Sequence, residues 1–428
     1  MKNVLNAHLY WIDTLHEEIP MKLWYVLSHP RLASSWIALM VTLLAALFVL
    51  SACGGGGDSP ATGSTATPTS TSSVYAAGPI TGFGSVIVNG VRFDDSAASI
   101  SDDDGNKLAE SQLRLGMQVE CEGGPGSDDA HGVAHAIHGH AALLGPVSAV
   151  DTTAGTLTVL GQTVTVDAQT AFDSALAAGL ASVAGGAVVQ VHGQFDATSQ
   201  SYLATRVELA TGANHYRIRG TITAFDATAK TLAIGPTAIS FSTTTNVPTD
   251  LAVGKLVVVR LATTPANGVW TATAIADGQR LLQDHDEAHL RGVISAFTSA
   301  TQFSVDGNPV DASNAVFPDG ESGVVLGAAV EVEGQLVNGT VVARKVEVED
   351  EHEHDGSRVE LHGTISALDT AAQTFVVRSV TVSYVGSVDF HNGSATALAN
   401  GLFVEVHGGF SADGTVVDAT RIDLKPKD

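Results

Sequence analysis

Histidine beside carboxylate is the chemistry this sequence offers most plainly. Of its 16 histidines all but His8, His16 and His29 follow residue 53, and they gather in short clusters. One is His131, His135, His138 and His140; a second is His285, Asp286 and His289, preceded by Asp284; a third is His352 and His354 between acids. His285 and His289, four apart, share a face of a helix, and His352 and His354, two apart, share a face of a strand. Neutral imidazole with carboxylate is the ligand set of zinc, copper or nickel, so these clusters are the candidate sites for a divalent metal.

Cys121 is the other reactive type, in Val119-Glu-Cys-Glu. It is expected to be buried and inert, because apolar burial raises a thiol's pKa. The run Ser101-Asp-Asp-Asp-Gly105-Asn looks like a calcium loop, but with Gly105 sixth the first and twelfth positions would be Ile100 and Ser111, so it reads as a turn. No Gly-x-Ser-x-Gly elbow, phosphate loop or His-Glu-x-x-His is present, and no enzyme is expected. With 45 acids against 21 bases, a net charge of −24, the chain is unsuited to nucleic acid.

The elements that must carry these residues repeat. Five segments open alike, at Gly78-Pro-Ile-Thr-Gly-Phe, Gly145-Pro-Val-Ser-Ala-Val, Gly220-Thr-Ile-Thr-Ala-Phe, Gly292-Val-Ile-Ser-Ala-Phe and Gly363-Thr-Ile-Ser-Ala-Leu, spaced 67, 75, 72 and 71 residues apart. Each continues to a Gly-x-x-Val-x-Val landmark, as in Gly327-Ala-Ala-Val-Glu-Val and Gly401-Leu-Phe-Val-Glu-Val, with Cys121 in place of the last valine in the first unit, and closes on Ala-x-x-[Ile/Val]. Three landmarks in one order, five times, define a tandem array.

Within a unit, period-two alternation marks strands, and Asn89-Gly90 between Val86-Ile-Val and Val91-Arg-Phe signals a two-residue type I′ hairpin. The order, three strands, a short turn or helix, then two strands, predicts an all-β protein of five tandem, small, five-stranded OB-like barrels. Phe225, Phe297 and Leu368 each follow the opening isoleucine by three, which predicts a bulge that swings both residues inward. Cys121 aligns with Val191, Val259, Val332 and Val406, an inward column. His138 aligns with Glu208, Glu347 and Asp423, and His192 and His407 with Glu122, Arg260 and Glu333. Those are outward polar positions, and no histidine spacing recurs between joints. The histidines are therefore expected as solvated surface with no cofactor, metal capture being the alternative.

Trp36 to Leu50 is an unbroken apolar run of 15 residues, short for a membrane span but suited to a signal peptide. It ends in Leu50-Ser-Ala-Cys53, which resembles the lipobox of bacterial lipoproteins; the resemblance implies a diacylglycerol on Cys53. Lys2 stands against Asp13, Glu17 and Glu18, whereas from Met21 the leader carries Lys22 and Arg31 and no acid, so translation is expected to start at Met21. Residues 54–77 are Gly, Ser, Thr and Pro with almost no apolar content, the composition of a disordered tether.

From the openings, the Gly-x-x-Val-Glu-Val strands and the Ala-x-x-[Ile/Val] closings, the array resembles the bacterial envelope family Domain of Unknown Function 5666, over residues 78 to about 425. The resemblance implies small β-rich domains in secreted or lipid-anchored proteins and supplies no reaction or ligand. The expected organisation is a signal peptide over 1–52, lipidated cysteine and tether over 53–77, and barrels over 78–143, 144–212, 213–280, 291–350 and 362–428. Histidine-rich acidic linkers are expected at 281–290 and 351–361. The expected function is a non-enzymatic binding or spacing module, anchored to the membrane by its lipid. Gly54 after the cysteine implies the outer membrane, facing periplasm or cell surface, with an envelope protein or glycan as partner.

Overall fold

The computed structural model describes residues 73–128, 130–280, 282–349 and 359–425. The leader, Cys53, the tether to residue 72, and the acidic run with His352 and His354 lie outside the described residues.

Among the described residues the chain is all-β, with only short 3₁₀ turns between strands. In the first unit, Val74–Phe83 pairs antiparallel with Val86–Val88, which pairs with Val91–Asp94. Val91–Asp94 then runs parallel to His131–His140, which lies antiparallel to Gln118–Pro125, and that strand returns to Val74–Phe83. This 1-2-3-5-4-1 circuit is the closed order of the OB barrel. The same circuit recurs from Leu143–Asp151 to Ser201–Leu209, from Tyr216–Asp226 to Trp270–Asp277, from His285–Ser299 to Thr340–Val348, and from Val359–Thr364 to Val417–Lys425.

Local chemistry explains the circuit. Asn89-Gly90, Leu160-Gly161 and Asp306-Gly307 all take positive φ at both turn residues, the type I′ geometry whose twist matches the strands it joins. The inward column is fully buried, Cys121, Val191, Val259, Val332 and Val406 each at 0% exposure. Two residues on, Gly123, Gly193, Gly334 and Gly408 occupy bulges where a Cβ would lie 2.1–2.2 Å from the neighbouring strand's carbonyl oxygen. The expected bulge in the first strand is present, between Ile222 and Ala224 and between Ile294 and Ala296. Only half of its expected effect follows: Ile222 and Ile294 are buried, whereas Phe225 and Leu368 are half-buried and Phe297 is 40% exposed. The residue three after the isoleucine stays partly exposed rather than filling the barrel centre.

Two expected boundaries are corrected. Val74–Ala77, read as tether, is strand; the 281–290 segment, read as linker, is strand from His285 onward. The two corrections share a cause, since Val74 to Ala77 pair in parallel with Glu287 to Leu290 and so join the first barrel to the fourth. First strands make the other inter-barrel ladders as well: Gly82-Phe83 with Glu360-Leu361, and Leu143-Leu144 with Arg217-Ile218. Apolar side chains follow these seams. Barrels one and five share one hydrophobic cluster, barrels two and three share another, and barrel four takes Tyr75 and Ala77 from barrel one into its own.

Candidate functional site

The predicted histidines do not converge on one ligand set. His131 is exposed and pairs with Asp128 at 2.5 Å; His135 is exposed on the same strand. His138 Nε2 lies 3.7 Å from Asp103. His140 is buried, and its burial, reinforced by the charge of Arg219, lowers its pKa to about 3. His285, ring to ring with Tyr75 at 5.8 Å, lies 3.8 Å from Glu122, beyond hydrogen-bond reach. His289 faces Glu287 at 3.3 Å, while Asp286 accepts the Ser73 N–H at 3.2 Å. The expectation of a solvated surface is overturned for His140, His192, His285 and His289, all buried. The strands that carry them are outward-facing within their own barrel, but another barrel covers that face.

An ionic hub fills this seam. The Asp102–Asn106 turn, held by Asp102 Oδ1 accepting from the Asp104 and Asn106 N–H groups, projects Asp103 and Asp104 from barrel one into barrel three. Arg217 Nη1 donates to Asp103 at 3.1 Å and Nη2 to Asp104 at 2.6 Å; Arg260 Nε joins Asp104 at 2.9 Å. Arg219 of barrel three donates to Asp306 of barrel four at 2.9 Å, and Arg280 bridges Glu120 and Glu122 of barrel one at 2.9 and 3.0 Å. Arg217 and Arg219 are buried, and charges taken from water are tolerated only when paired, so these two fix how barrel three sits against barrels one and four; Arg260 and Arg280 are 38% exposed and hold their partners less strongly. Cys121, in the barrel-one core, is buried as expected, and burial pushes its thiol well above the usual range.

Two recesses open between barrels. A cavity of about 10 Å³, room for one water, lies between barrels one, two and four, lined by Glu120, His140, Gln194 and Asp306 among others. A groove of about 220 Å³ runs between barrels two and three, lined by Pro146, Ser148, Leu160, Pro236, Thr237 and Trp270 with flanking glycine and alanine. It carries no charged side chain. Trp270 is held edge-on against Tyr216, ring centroids 5.7 Å apart.

One cluster was missed in the sequence. On the outer face of barrel five, Glu360 and His362 lie opposite His407 and Glu405 in register. The ligand atoms of Glu360, Glu405 and His407 fall within 4.8 Å of one another, the one such grouping of three among the described residues. Its signal was a doubled Glu-x-His, Glu360-Leu-His362 and Glu405-Val-His407, on two strands that the repeat pattern already paired.

Among known proteins, the family model described as Domain of unknown function (DUF5666) matches four times, over residues 145–208, 219–276, 291–347 and 362–423. No curated protein matches the chain. A solved structure, drosophila Unr CSD456, is similar at 14% identity over 50% of this chain and 98% of its own, with a TM-score of 0.14, too low to inform the fold. The four matches coincide with barrels two to five, and the chain is a tandem-repeat member of the Domain of unknown function (DUF5666) family.

Proposed function

We propose that the protein is a non-enzymatic binding module of the cell envelope, held to the outer membrane by a lipid on Cys53, with a neutral glycan as its ligand. Tandem β-domains locked by buried ion pairs suit binding, because grooves between them are preformed and cost little to order. The observation that carries the reading is the Trp270 groove. Its planes, from Trp270, Pro146 and Pro236, suit the apolar face of a sugar ring, and its lack of charge in a chain of net −24 favours a neutral ligand. OB barrels in general present oligosaccharide sites near the second and third strands and the four–five loop, which is where Thr237 and Gly268 stand; that part is fold analogy.

The test uses a property of the sequence. Trp270 is the only tryptophan after Cys53, the others being Trp11, Trp24 and Trp36. Titrating the processed chain with neutral oligosaccharides released from the envelope should shift Trp270 emission saturably, and Trp270→Ala should lose retention on the same glycans. Unchanged emission, with equal retention of both proteins, refutes the reading. Fatty-acid labelling that survives Cys53→Ala would refute the anchor.

A further inference from the structure

We propose that Glu360, Glu405 and His407, with His362 beside them, bind a divalent cation of the zinc type on the outer face of barrel five. The four side chains stand on one face of a single ladder, Glu360 across from His407 and His362 across from Glu405. Tetrahedral zinc with bonds of about 2.0–2.1 Å sets its ligand atoms roughly 3.3 Å apart. His407 Nε2 and Glu405 Oε1 are 2.9 Å apart, and His362 Nε2 is 4.0 Å from Glu405 Oε1, both near that spacing.

Hydrogen bonding leaves the cluster in conflict. His362 Nε2 lies 2.8 Å from Arg92 Nη1, which demands a lone pair, and 2.5 Å from Glu360 Oε1, which demands a proton. One nitrogen cannot meet both demands. A cation accepting lone pairs from His362 and Glu360 removes the conflict and displaces Arg92 from Glu360, and Lys425, 3.0 Å from Glu405, gives way as well. Imidazole ligands favour zinc, copper or nickel over calcium or magnesium. The same face elsewhere lacks the set: barrel three has Val258 and Arg260 there, and barrel four sets Glu331 and Glu333 opposite Arg291 and His289, one histidine where barrel five has two.

This site is independent of the Trp270 groove. Isothermal titration of the full chain with zinc chloride is expected to show a site that Glu405→Gln and His407→Ala each weaken at least about tenfold, and that His131→Ala leaves unchanged. Arg92→Met should tighten it by removing the competing cation, a gain that a purely structural role for the quartet would not produce. Cobalt substituted for zinc should give visible absorption, lost in the same two variants. If His407→Ala fails to fold, Glu405→Gln, which keeps side-chain volume, carries the test. Zinc binding no tighter than about millimolar, or unchanged in Glu405→Gln, overturns the proposal.

Discussion

Asp103→Asn isolates the charge that docks barrel one on barrel three. Asp103 is 9% exposed, accepts the Ala141 N–H at 2.8 Å and Arg217 Nη1 at 3.1 Å. Burial alone would raise its pKa, but His138 and Arg217 outweigh burial and hold it at about 2, against 3.8 in the unfolded chain. A difference of about 1.8 units corresponds to about 2 kcal/mol. The sign follows from proton uptake: between pH 4 and pH 2 the unfolded chain binds the proton and the folded chain does not. The contribution is therefore complete above about pH 5, falls to about half near pH 3, and is gone by about pH 1. Asparagine keeps the shape and one acceptor for Ala141 while removing the charge. Urea denaturation of the chain processed at Cys53, followed by Trp270 emission, which reports barrel three, should show Asp103→Asn less stable by about 2 kcal/mol at pH 7, with the gap halved at pH 3. A gap of equal size at both pH values would show that Asp103 acts through packing and would refute the electrostatic account.

Three further outcomes are expected. His140, lowered to about 3 by burial, takes up its proton in the unfolded chain first, so stability should fall as pH drops from 6.5 toward 3; His140→Gln should flatten that slope, by several kcal/mol at its lower end, in acid titration followed by circular dichroism. Gly334→Ala should cost about 1–3 kcal/mol in thermal or urea unfolding, because its Cβ would meet the Val342 carbonyl oxygen at 2.2 Å. Cys121, fully buried, should react with a thiol reagent only after denaturation; rapid labelling of the native chain would contradict the barrel-one core.

The barrels were legible because their determinants are local. Alternating β-branched residues, the Asn89-Gly90 turn and the valine column each act within a few residues or across one hairpin. The contacts between barrels were not. Val74 and Glu287 pair across more than two hundred residues, and nothing in Val74-Tyr-Ala-Ala distinguishes a strand from the end of a Gly/Ser/Thr stretch until its partner is known. The same holds for the histidines: position in a repeat shows that His192 points out of its own barrel, but not that a neighbour lies beyond it. Asp103 and Asp104 read as turn residues, which they are; their salt bridges to Arg217 depend on a docking geometry that no spacing encodes. The barrel-five quartet needed only cross-strand register, which the repeat alignment contained, and it was passed over because its columns hold ordinary polar residues in other units.

The strand Val74–Phe83 is hydrogen-bonded along both edges, to Gln118–Pro125 and Val86–Val88 of its own barrel and to first strands of barrels four and five. Tension applied at residue 73 therefore enters directly into the fourth and fifth barrels, bypassing the covalent path through more than two hundred residues. It would load the parallel ladder at Val74 to Ala77 in shear, so that several backbone bonds must break together before the chain can extend. Resistance to pulling is then set by the height of that unfolding barrier rather than by equilibrium stability.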